Sequence, residues 1–145
     1  MAAAKLTQLF EDYAAHHQHP VNRSIHKIAI PLIVFQIVAM LGWVHLGPHL
    51  TLAHLAYAAA IAWYLSMDLR LGLLLAALIA VCFPIARVVP WPVVIAIGVV
   101  AWSGQFLGHA VFEKRQPAFF HNLTHALVGP AFFVARALHI NEAQT

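Results

Sequence analysis

Charge is scarce in this 145-residue chain. Only 9% of it is Asp, Glu, Lys or Arg, five acids against eight bases, where a soluble domain carries about 25%. So few charged side chains cannot clothe a soluble globule of this size. Cysteine is almost absent. Cys82 stands alone inside the apolar run AALIAVCFP, which excludes an intrachain disulfide and reads as a small packing residue. No glycine-rich phosphate loop is present. Ser24, Ser66 and Ser103 lack a triad context and Cys82 lacks a nearby base, so nucleophilic hydrolysis has little support. The bases are spread out, with no basic run and no interleaved aromatics, which gives no sign of nucleic acid. The first twenty residues hold no apolar h-region. No cleavable signal peptide is expected, and a spanning segment is expected to act as the insertion signal.

What is there instead is apolar. Hydrophobic residues make up 62% of the chain, with a mean hydropathy of +0.79. The expectation is an all-α, multi-spanning transmembrane helix bundle in a single membrane domain, residues 1–145. Within it, residues 1–27 form an N-terminal helix and a His-rich turn, 28–139 the bundle and 140–145 a tail. Leu6, Leu9, Phe10 and Tyr13 fall at helical spacing opposite Glu11 and Asp12, which predicts a short amphipathic helix over 4–16. Pro20 ends it, and Asn22 to Ser24 read as a turn. Apolar segments follow at 28–46, 50–67, 71–89, 91–112 and 120–139. Each is near the ~20 residues that cross a bilayer. The third, with Pro84, is marginal. The fifth is weakened by His125, Gly129, Pro130 and Arg136. Four to five spans are expected.

The positive-inside rule orients them. With a cytoplasmic N-terminus and five spans, Lys5, Arg23, Lys27, Arg70, Lys114 and Arg115 lie inside, and Arg87 and Arg136 outside. Short loops and an Ala/Leu-rich composition suggest a bacterial inner membrane, or the endoplasmic reticulum membrane in a eukaryote. The same topology sorts the eleven histidines. His16, His17, His19, His26, His109, His121 and His125 fall at the cytoplasmic face, and His45, His49, His54 and His139 toward the other.

Neutral imidazole is the commonest protein ligand for Fe, Zn, Cu and Ni. His17 and His26 flank Pro20. His109 and Glu113 are four apart in QFLGHAVFEKRQP, as are His121 and His125 in HNLTH. Residues four apart share a helix face, and Gln105, His109 and Glu113 make one polar stripe at that spacing. Polar groups at membrane depth are costly and have partners. Each histidine alone reads as a hydrogen-bonded structural residue. Their collection at one face points to a metal site, whereas His45, His49 and His54 have no acidic company and read as structural. Gly104 and Gly108 form a GxxxG packing signal, and the four tryptophans read as interfacial anchors or packing.

Two stretches, HHQHPVNRSIHKIAIPL and QFLGHAVFEKRQPAFF, together resemble the membrane 2-hydroxy fatty acid dioxygenases of α-oxidation. The matching positions are His17, Pro20, Asn22, His26 and Pro31, then Gln105, Gly108, His109, Phe112, Glu113, Lys114, Pro117 and Ala118. The resemblance covers nearly the whole chain. It implies Fe(2+) bound through histidines and a long-chain 2-hydroxy fatty acid oxidised with O2 and shortened by one carbon. His17, His26 and His109 are the implied ligands, with His121, His125 or Glu113 as the fourth. The chain departs from the family pattern at His121-Asn122, where an acidic residue is expected, and at Ala29, where a glycine is. Asn22, Glu113 and Lys114 are the further site candidates. Glu113 either completes a two-histidine, one-carboxylate set or orients a ligating imidazole. Lys114 and Arg115 would attract the substrate carboxylate. The alternatives are a di-iron membrane fatty-acid hydroxylase or desaturase, and a non-enzymatic metal or haem carrier.

Overall fold

The computed structural model describes residues 2–117, 120 and 122–140. Among these the chain is helical: α1 (Ala2–Ala15), α2 (Pro20–Gly42), α3 (Leu52–Met67), α4 (Leu69–Ala80), α5 (Cys82–Val88), α6 (Trp91–Leu107) with a π-helical extension (Gly108–Glu113), and α7 (Thr124–Ala137).

The turn expected at Asn22 to Ser24 is instead the first turn of α2. Pro20 begins the helix, because its ring presets a helical φ and its missing N–H costs nothing at a first position. His19 caps that start, its Nδ1 accepting from the Val21 N–H at 3.2 Å. This correction brings Asn22 and His26 onto a rigid helix.

Among the described residues, three stretches are long and apolar enough to cross a membrane: α2, the α4–α5 rod, and α6 with its π-helical extension. α3 is equally apolar but has 16 residues. The α4–α5 rod hitches at Val81, because Pro84 has no N–H for the carbonyl four residues earlier. α2 packs against α3, α5 and α6, and α3 packs against α4, so the long helices alternate in direction. α3 and α4 meet closely at a corner capped by Asp68, whose Oδ1 accepts from the Leu71 N–H at 2.7 Å.

One end of the bundle is closed by α1 and α7. Leu6 of α1, Ile61 and Tyr64 of α3, Leu71 and Leu75 of α4, and Ala131 and Ala135 of α7 form one buried cluster. The Tyr64 hydroxyl donates to the Leu127 carbonyl at 2.8 Å. The fifth apolar segment therefore does not cross. A 14-residue helix is about 21 Å long, short of the ~30 Å of hydrocarbon. At its start, His125 lies 2.9 Å from Asp12 of α1. Near its end, Arg136 lines a groove with Arg23 and Lys27 of α2. Both ends sit at the same end of the bundle. Arg136 thus shares a side with Arg23 and Lys27 rather than lying opposite, as five spans required.

A Cβ on Gly72 would come within 2.8 Å of the Leu65 backbone nitrogen. Gly72→Ala should therefore push α3 and α4 apart and destabilise the fold by about 1–3 kcal/mol. Thermal unfolding in detergent should show a lowered midpoint, and an unchanged midpoint would contradict this packing.

Candidate functional site

Three histidines converge at the closed end. His17 stands in the turn after α1, His26 in the second turn of α2, and His109 in the π-helix. A ligand atom from each lies within 4.8 Å of the other two. Their ring centroids are 4.7, 4.7 and 4.8 Å apart, with ring planes crossed by 75°, 78° and 79°. The rings form a three-bladed arrangement, and all three are buried.

Local bonding sets which nitrogen each ring offers. His17 Nδ1–H donates to the Tyr13 carbonyl at 2.8 Å, and His26 Nδ1–H donates to the Asn22 carbonyl at 2.8 Å. In both rings the lone pair is then on Nε2. His17 Nε2 is buried without a partner. His26 Nε2 lies 3.1 Å from His109 Nε2. Burial, together with the two neighbouring imidazoles, pushes the His17 pKa from its ordinary 6.5 down to about 3. His17 is therefore neutral at pH 7. Donors on a metal bound at roughly 2.1 Å lie about 3.0–3.4 Å from one another, which the His26–His109 pair meets. Neutral, buried, pre-oriented imidazoles fit a divalent metal ion.

The π-helix carries His109, in keeping with the frequency of such wide turns at functional sites. It ends at Lys114 in the left-handed conformation, φ 52°. A Cβ on Gly108 would overlap Asn22 Oδ1, so only glycine lets α6 approach α2 here. Asn22 is fully buried. Its Nδ2 donates to Glu113 Oε1 at 3.0 Å, and the same oxygen accepts the His19 N–H at 2.9 Å. Glu113 thus ties the end of the π-helix to the start of α2. It does not join the three histidines.

The remaining candidates scatter. His125 is buried but outside the cluster, facing Asp12. Lys114 and Arg115 line an open groove that reaches His109. His121 and Ala118 lie outside the described residues. At the far end His54 Nδ1 accepts the Thr51 N–H at 3.1 Å, and His45 Nδ1 donates to the Trp43 carbonyl at 3.1 Å. These two histidines serve local structure. Spacing alone did not single out Tyr13. Its ring stacks on His17 with centroids 4.0 Å apart, its carbonyl holds Nδ1, and burial raises its phenol pKa, so the hydroxyl keeps its proton. Its position four residues before His17 was the available signal.

A family model described as 2-hydroxy-palmitic acid dioxygenase Mpo1-like matches residues 3–68 and 69–141. The chain belongs to the Mpo1-like family. This Mpo1-like chain is also 30% identical over 127 residues to the 2-hydroxy-palmitic acid dioxygenase MPO1 of Saccharomyces cerevisiae, covering 84% of the chain and 72% of that protein. No solved structure matches it significantly.

Gly108→Ala should separate α6 from α2 and lower metal occupancy by displacing Asn22 and His109. Metal content after purification, read by elemental analysis, checks this. Occupancy equal to the unaltered protein would show that the close approach is dispensable.

Proposed function

We propose that this Mpo1-like chain is an Fe(II)-dependent dioxygenase that oxidises long-chain 2-hydroxy fatty acids with O2 and shortens them by one carbon. The observation that carries the reading is the buried group of three imidazoles at one end of an apolar bundle. The name of the yeast relative supplies the substrate class.

His17, His26 and His109 would hold the metal. Fe(II) bound there supplies one-electron chemistry toward O2 and an electrophilic seat for a hydroxy acid. The chain's own residues prepare that seat. Tyr13 and Asn22 fix the ring orientations through their carbonyls. Asn22 and Glu113 hold α2 against the π-helix, so both are positioning residues in this reading. Lys114 and Arg115 stand exposed on the groove outside His109, where they would draw in a carboxylate. Three imidazole ligands without charge would leave a bound metal its full positive charge, a setting suited to an anionic hydroxy acid. The apolar bundle keeps the acyl chain out of water. We place the single domain, residues 1–145, in the bilayer with its N-terminus and site on the cytoplasmic side.

The decisive experiment is O2 uptake by the purified, Fe(II)-loaded protein. Uptake with 2-hydroxypalmitate, and none with palmitate, is expected. No uptake with either acid by protein that holds iron would withdraw the substrate assignment.

Alanine at His17, His26 or His109 should abolish uptake and lower bound iron severalfold. His49→Ala should leave both at the level of the unaltered protein. Iron lost from His49→Ala but kept by His109→Ala would sink the site.

A further inference from the structure

One cavity of about 100 Å³ touches the histidine cluster. His17 and His109 line it, with Tyr13, Gln105 and His125, and it runs on past Ile30, Ile33, Val34, Ile37 and Trp102. A single water needs only about 10–15 Å³ by this measure, so a small polar head group fits. The seven-residue rise along α2 from Ile30 to Ile37 gives the apolar wall a reach of about 10 Å, toward the middle of the bundle.

Several buried polar atoms around this cavity are unpaired. Tyr13 Oη, His17 Nε2, Gln105 Oε1, His109 Nδ1 and both ring nitrogens of His125 have no hydrogen-bond partner. Tyr13, Gln105 and His125 are only 3%, 7% and 5% exposed, so bulk water does not satisfy them. A buried polar group left without a partner costs about 1–3 kcal/mol, and natural structures seldom leave several in one place. Here they gather around one space, which is the mark of a ligand site. A metal held by the histidine cluster would account for His17 Nε2. Nothing in the fold accounts for Tyr13 Oη, Gln105 Oε1, His109 Nδ1 or His125 Nδ1. Gly129 keeps room for them, since a Cβ there would come within 3.3 Å of Tyr13 Oη and 3.2 Å of Ile30.

We infer that Tyr13, Gln105 and His125 form the seat for the polar head of a 2-hydroxy carboxylate, in the cavity that His17 and His109 also line. This rests on the proposed substrate class. The chemistry is complementary. The Tyr13 hydroxyl is a donor for a carboxylate oxygen. Asp12 Oδ2 lies 2.9 Å from His125 Nε2 without hydrogen-bonding to it, and we take the ring's proton to be on that nitrogen, beside the carboxylate. Nδ1 is then an acceptor for the substrate's 2-hydroxyl. The Gln105 carboxamide offers both a donor and an acceptor. A site that hydrogen-bonds a hydroxyl discriminates against the analogue lacking it, because its own polar groups are then stranded.

The test is binding without turnover. Fe(II)-loaded protein is held under nitrogen, and the dissociation constants of 2-hydroxypalmitate and palmitate are measured by displacement of a fluorescent fatty acid. Tyr13→Phe keeps the ring stack and loses only the hydroxyl. It should weaken both acids by about tenfold. His125→Leu and Gln105→Met should weaken 2-hydroxypalmitate by about tenfold and palmitate far less. Iron content should not change in any of them. Unchanged dissociation constants in all three variants would overturn the seat and leave the cavity to water. Loss of iron from Tyr13→Phe would overturn it too, by making the hydroxyl part of the metal site. If the unaltered protein binds the two acids equally and takes up no O2 with either, the substrate class itself fails, a result distinct from a failed seat in an active protein.

Discussion

An imidazole ligand is best oriented when its second nitrogen is held elsewhere. This chain meets that constraint twice with one local device. The side chain bonds back to the carbonyl four residues earlier, His17 to Tyr13 and His26 to Asn22. Each bond fixes the ring, its tautomer and the direction of its free nitrogen together. The surrounding structure follows from keeping those two carbonyls in place. Pro20 and His19 start α2 early enough to make Asn22 helical. Glu113 anchors the same turn from the other side, and Gly108 lets the third histidine come near.

Much of the architecture was legible in the sequence, because its cause is a bulk property. Long apolar runs with scarce charge read as helices suited to a membrane, and their alternation brings the start of the first segment and the end of the fourth together. That places His17, His26 and His109 at one end despite the 83 residues between the latter two. Hydropathy sees amount and not orientation, so the fifth segment, weakened by His125, Gly129, Pro130 and Arg136, is open in the sequence to a span or an interfacial helix. It lies across the end because Tyr64, Leu71 and α1 offer it a surface there. The start of α2 is not legible in the sequence, because Asn22 to Ser24 are polar, capping-type residues that suit a turn as well as a first helical turn. Pro20 as a first helical residue decided otherwise. The π-helix and the unpaired Tyr13 hydroxyl leave no sequence pattern, since both arise from contacts between distant elements.

The two ends of the bundle show opposite uses of the same residue. At the far end His54 and His45 finish helices and loops by bonding to the backbone at their own corner. At the closed end the rings are buried and point at each other. Burial in an apolar setting keeps an imidazole neutral and its lone pair available. The difference lies in what each ring is packed against, and not in the density of histidine along the chain.

The origin of His17 has a consequence for assembly. His26 and His109 belong to α2 and to the end of α6, two helices that pack together within the bundle. His17 arrives from outside it, on the turn after α1, and α1 is held by its contacts with α3 and α7. The bundle alone can therefore hold no more than a two-armed site. The third arm depends on the packing of α1 against both α3 and α7. A change in that packing, far from any of the three rings, would therefore reach a metal held there by withdrawing one donor.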